Sequence, residues 1–179
     1  LVDCVGFVTP NSLGYEDELG NPRMVKTPWF SEELPFVEAA EIGTEKVIKD
    51  HATIGIVVTT DGSILDLPRS NYVQAEDKVI TELKSINKPF IVIMNSVHPM
   101  ANETISMSEA LKEKYGVPVI PICVENMTER DITEILKEAL YEFPVDHIEF
   151  NIPDWVGVLK SENPLKQKFI EKMKGSIVN

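Results

Sequence analysis

Among its 179 residues the chain has only two cysteines, Cys4 and Cys123. That is too few for a disulfide framework, and a reducing cytoplasm is the expected setting. Positive charge is scarce as well: 17 Lys and Arg stand against 29 Asp and Glu, a formal net charge of −12. Nucleic-acid binding needs a basic footprint, so no nucleic-acid partner is expected, and an anionic membrane would repel the body of the chain. No apolar run nears the length of a membrane span and no signal peptide is visible, so no transmembrane segment is expected. The three histidines, His51, His98 and His147, lack any metal-ligand spacing. The Gly-x-x-x-x-Gly-Lys-Ser/Thr loop that cradles nucleotide phosphates occurs nowhere in the sequence.

What is present alternates. Apolar runs of strand length fall at 1–6, 54–58, 90–94 and 117–124. Amphipathic helical stretches fall between and after them, from Ser31 or Pro35 to His51, at 72–86, at 104–115 and at 128–141. Strand and helix in turn predict an α/β fold, a doubly wound and mainly parallel sheet with helices on both faces. Pro118 and Pro121 predict an edge position for the last strand, because each removes a ladder donor. Thr128 and Asp131 stand three apart, the spacing of a helix cap. Residues 7–30 lack any sustained period and are broken by Pro10, Gly14, Gly20, Pro22 and Pro28; loops of that length are commonly functional. Trp29 and Phe30, near its end, are expected to anchor it on the body. The pattern changes after Pro144. Residues 147–152 alternate as a half-exposed strand does, and two short helices are expected beyond them. The stretch 160–174 carries five lysines against two glutamates, which reads as a solvated amphipathic helix of a second domain. The expected division is therefore 1–144 and 145–179.

Chemistry should gather where the strands end. Ligands of open α/β sheets bind beyond the carboxyl ends of their strands, and the run 90–94 closes on Asn95, followed by Ser96, Val97 and His98. P-loop GTPases carry Asn-Lys-x-Asp there: the Asn braces the loop, the Lys stem lies along the base, and the Asp takes two guanine donors. Here Asn95 keeps the bracing group, while His98 offers one acceptor nitrogen in place of a bidentate carboxylate. A nucleotide site built on Asn95, Ser96 and His98 should not insist on guanine. Glu125 and Asn126 follow the next strand, where such enzymes contact the base with backbone. Asp3-Cys4-Val5-Gly6 is an Asp-x-x-Gly; in that setting Asp3 would hold magnesium, through water, and Gly6 would admit a backbone amide to the terminal phosphate. The order of parts matches the distal part of a GTPase-like P-loop NTPase, with 7–30 as its phosphate-sensitive switch. The start at Leu1, inside an expected strand, reads as a piece of something longer.

The runs 2–6, 56–64, 87–96 and 151–159 closely resemble the stage IV sporulation protein A family of endospore-forming bacteria, and the resemblance spans the chain. It implies ATP rather than GTP as the nucleotide, with Mg2+, and hydrolysis that drives self-assembly into the basal layer of the spore coat. It implies a place on the mother-cell side at the forespore surface, with other coat and forespore-surface proteins as partners. It makes 145–179 the start of a middle domain. Two readings from other classes compete. A receiver module would use Asp61 as phosphoacceptor and Ser96 as switch hydroxyl, but it wants a Lys at the next strand end, where 123–126 has none. A scaffold would use these surfaces for assembly alone. A Ser96 hydrolase lacks the flanking glycines of a nucleophile elbow.

Overall fold

The computed structural model describes residues 2–9, 12, 14–17, 19–145 and 147–176. In chain order the elements are β1 (Met24–Val25), β2 (Leu34–Pro35), α1 (Phe36–Lys46), β3 (Gly55–Thr60), α2 (Ser70–Ser85) and β4 (Phe90–Asn95). They continue with α3 (Asn102–Tyr115), β5 (Val119–Ile122), α4 (Glu129–Tyr141), α5 (Asp154–Val158) and α6 (Pro164–Gly175). The chain divides into two compact units, one ending at Phe143 and one starting at Pro144. Among the described residues no helix is long and apolar enough to cross a membrane.

In the first unit β3, β4 and β5 form a parallel sheet in that order. Register runs from Gly55 beside Phe90 to Thr60 beside Asn95, and from Val92 beside Val119 to Asn95 beside Ile122. Ile91, Val92 and Met94 of β4 are fully buried, as the middle strand of a sheet covered on both faces requires. On one face Val92 and Met94 join Ile80 and Leu83 of α2 and Leu111 and Tyr115 of α3. On the other, Ile91 and Ile93 join Ile122, Ile135 and Ala139, the last two from α4. Each such side chain contributes about 1.5–3 kcal/mol of apolar burial, so the sheet-and-helix layering expected from the alternation is also where the stability sits. Pro121, the one proline within β5, fits the strand's outer place. Pro118 and Ile122 carbonyls accept from Val92 and Ser96 on the β4 side, so Pro121 turns its missing N–H to the open edge. Thr128 and Asp131 form the expected reciprocal cap on α4.

Three expectations are corrected. Residues 2–6 form no strand: Val2, Asp3, Cys4 and Val5 are exposed, and Leu1 lies outside the described residues. The reason is the lack of a ladder partner. A cavity of about 410 Å³, lined by Asp3, Gly6, Thr44, Thr59 and Tyr72, lies between this segment and β3. The outer edge of β3 pairs with no strand among the described residues, which leaves Val58 62 % exposed. The stretch 147–152 also pairs with nothing described and is exposed throughout; alternation alone does not make a strand without a sheet to join. Lastly, 7–30 is less irregular than its composition suggests. Glu16 bridges Pro22, and β1 pairs antiparallel with β2; Pro10 lies outside the described residues.

In the second unit, Trp155 meets Phe169 edge to face at 6.3 Å. Lys166 Nζ donates to the carbonyls of Gly157 and Leu159 at 3.1 and 2.8 Å. These contacts tie α5 to α6.

Candidate functional site

The carboxyl ends of the three parallel strands converge on one group of loops. Asn95 closes β4, and its Oδ1 accepts from Val124 N at 3.0 Å. That hydrogen bond ties the β4 loop to the single 3-10 turn 124–126 after β5, which is the bracing role its position suggested. Glu125 and Asn126 lie exposed on this turn, and Asn126 Nδ2 donates to Cys123 Sγ at 3.4 Å. His98 is exposed beside them, ahead of a turn in which Ala101 N donates to the His98 carbonyl.

Ser96 is fully buried. Its hydroxyl donates to Asp61 Oδ2 at 2.5 Å and accepts from His98 N at 2.9 Å. The Ser96 side chain thus holds the loop from inside, while Asn95, His98, Glu125 and Asn126 stand where a base could reach them. Asp61 takes further hydrogen bonds from Ser63 N and Oγ, at 2.9 and 2.5 Å, and from Thr104 Oγ1 at 3.1 Å. Burial works to raise the Asp61 pKa, but the donors from Ser63, Ser96 and Thr104 outweigh it and hold the carboxyl below its ordinary 3.8. Sequence reasoning weighed Asp61 only as a phosphoacceptor. Its signal as a hub was the Thr60-Asp61-Gly62-Ser63 turn at a strand end, since Asp and Ser there bond neighbouring backbone. Both carboxylate oxygens are engaged by donors, and no group of three metal-binding side chains exists among the described residues.

Asp3 and Gly6 sit elsewhere. They border the cavity along the outer edge of β3, on a segment without regular structure, whereas Asn95 to Asn126 gather beyond β4 and β5. Gly6 has φ +78°, a left-handed conformation open to glycine at little cost. Asp3 is an exposed carboxylate that belongs to no group of three metal-binding side chains among the described residues. Such a group fits Mg2+ held mostly by water and phosphate oxygens, with one carboxylate as outer partner. The exposed polar groups at 98, 125 and 126, with half-buried Asn95 behind them, are of the kind that meets the base end of a nucleotide.

Comparison with known proteins supplies a frame for these groups. Residues 1–144 match the family model described as Stage IV sporulation protein A, ATPase domain. Stage IV sporulation protein A of Bacillus subtilis (strain 168) is 53 % identical over 177 residues, covering 99 % of this chain. The proteins of that name from Bacillus anthracis and Clostridioides difficile (strain 630) are 49 % and 48 % identical, over 99 % and 100 % of the chain. In each case the chain spans 36 % of the relative's length.

Proposed function

The chain belongs to the stage IV sporulation protein A family, and on that premise we propose that it is part of a magnesium-dependent ATPase acting in sporulation. The observation that carries this reading is the match of residues 1–144 to an ATPase domain. In this reading hydrolysis drives self-assembly into the basal layer of the spore coat, on the mother-cell side of the forespore surface. The partners are further copies of the same protein and other coat and forespore-surface proteins.

The residues divide the work by position. Asn95 fixes the β4 loop against 124–126, and His98, Glu125 and Asn126 face the base. ATP supplies the γ-phosphoryl group, and magnesium neutralises charge on its oxygens. Asp3 would orient the water shell of that ion, and Gly6 would let a main-chain N–H approach the transferred group. The lack of a carboxylate at 98 supports ATP over GTP. Guanine presents paired donors that a bidentate acceptor reads, whereas an imidazole has one acceptor nitrogen. The test is phosphate release from ATP by the intact protein with magnesium, compared with the Asp3→Ala variant. Turnover in the wild type, lost in the variant with the fold retained, supports the assignment; equal turnover in both removes Asp3 from it.

A further inference from the structure

We propose that Asp61 is a positioning residue of the base-binding loop, fixing through Ser63, Ser96 and Thr104 where residues 96–98 stand. The inference rests on the ATPase reading above and adds to it a residue that need not touch the nucleotide.

The loop after β4 is not held by apolar packing. Val97 and Met100 are 48 % and 80 % exposed. Beside the Asn95–Val124 and Ser96–Ile122 hydrogen bonds, what holds it is polar and converges on one carboxylate. Val97 N donates to Ser63 Oγ at 3.0 Å, and that hydroxyl donates to Asp61 Oδ1 at 2.5 Å. His98 N donates to Ser96 Oγ, and that hydroxyl donates to Asp61 Oδ2. Two successive main-chain amides therefore hang on two hydroxyls, and both hydroxyls hang on Asp61. Thr104 Oγ1 adds the first turn of α3 to the same oxygen as Ser96. The Asp61 side is itself fixed. Thr60 Oγ1 accepts from Gly62 N at 3.0 Å, and Gly62 has φ +95° with a would-be Cβ only 3.1 Å from Arg69 N. No other residue type fits that turn without moving the start of α2.

The chemistry demands an acceptor-only group. Every side-chain hydroxyl facing Asp61 donates to it, and two of these hydroxyls use their lone pairs on loop amides. Asn at 61 would keep the shape but put an N–H₂ in place of one carboxylate oxygen, so the hydroxyls or the Ser63 amide facing it lose a charged acceptor and must re-aim. A shift of this kind at His98 misplaces the base without touching the phosphate chemistry. That predicts a defect in affinity rather than in the chemical step.

The experiment measures ATP hydrolysis by the intact protein as wild type, Asp61→Asn and Thr104→Val. Asp61→Asn is expected to raise KM for ATP about tenfold with kcat within about twofold, since one charged hydrogen-bond set is lost. Thr104→Val, which removes one donor and keeps the volume, is expected to raise KM about two- to threefold. Unaltered KM in both variants overturns the inference while leaving the ATPase reading standing. A fall in kcat at constant KM also overturns it, because that reports lost folded protein rather than a misplaced loop. Wild-type protein without ATPase activity removes the ATPase reading, and this inference with it. Should Asp61→Asn fail to fold, Thr104→Val alone decides by the same criterion.

Discussion

Ser96 shows how far a single buried hydroxyl changes what a motif can do. Reading Asn95, Ser96, Val97 and His98 against Asn-Lys-x-Asp suggests that Lys at 96 and Asp at 98 would together restore guanine reading. The structure separates the two changes. His98 is exposed, so His98→Asp adds an acceptor pair where a base can meet it. It is expected to raise GTP affinity relative to ATP about tenfold, the scale of one specific polar contact, as measured by competitive nucleotide binding to the intact protein. Ser96 has no exposed surface and lies against the Asp61 carboxylate. Ser96→Lys must therefore open the Asp61 cluster, and it is expected to weaken both nucleotides instead of selecting one. Acid should act on the same cluster. The folded pKa of Asp61 lies below its ordinary 3.8, so its contribution to stability is present above about pH 4 and is lost as pH falls through the folded value. Chemical denaturation between about pH 5 and pH 2 should show stability declining with acid, and less steeply in Asp61→Asn than in the wild type.

At the level of elements, a second polar cluster clamps α2 to α3. Glu76 is 4 % exposed; its Oε2 takes Arg69 Nη2 at 2.6 Å and its Oε1 takes the Tyr115 hydroxyl at 2.7 Å. Arg69→Met leaves that carboxylate buried and unpaired, and should cost about 3–5 kcal/mol in denaturant unfolding. Tyr115→Phe removes one of its two partners and should cost about 1–3 kcal/mol. The loop 7–30 and its end at Trp29 and Phe30 belong to the same scale. The Trp29 ring lies 3.5 Å from a would-be Cβ at Gly43, and Lys46 Nζ stands 5.7 Å from the ring centre. One face of Trp29 therefore lies on α1 although the residue is 46 % exposed, and Phe30 is 48 % exposed. Of the two, Phe30 is the free candidate for a switch contact. Phe30→Ala is expected to leave ATPase activity within about twofold and to reduce sedimentable polymer, with both read in one sample. Unchanged polymer would show that the loop does not transmit the nucleotide state.

Elements were legible in the sequence where their periodicity matched burial on the spot. Strand β4 is apolar at every position from Phe90 to Met94 because both its faces are covered, and α4 announces its start through Thr128 and Asp131. The stretches 2–6 and 147–152 carry equally good strand patterns but have no ladder partner among the described residues, and a pattern cannot supply one. Asn95 was legible as a brace because its place after a buried strand fixes its reach. The Asp61 hub was not, because hydrogen bonds spanning 35 and 43 residues to Ser96 and Thr104 leave no local spacing to read.

The molecule as a whole is acidic, with a formal net charge of −12, yet its second unit carries the lysines of α6. The groups proposed to face the base follow β4 and β5, and the sequence contains no Gly-x-x-x-x-Gly-Lys-Ser/Thr loop for phosphates. The 179-residue chain alone is therefore expected to release no phosphate from ATP above background, since its sequence holds no P-loop, whose amides and Lys cradle the phosphates. On the reading proposed above, turnover needs more than this chain, which spans 36 % of the length of the relatives it matches. The most direct test of the account is steady-state hydrolysis of ATP and of GTP by the intact protein in magnesium. The expected result is turnover of ATP with no preference for GTP. Tight binding and turnover of GTP with weak use of ATP would contradict it.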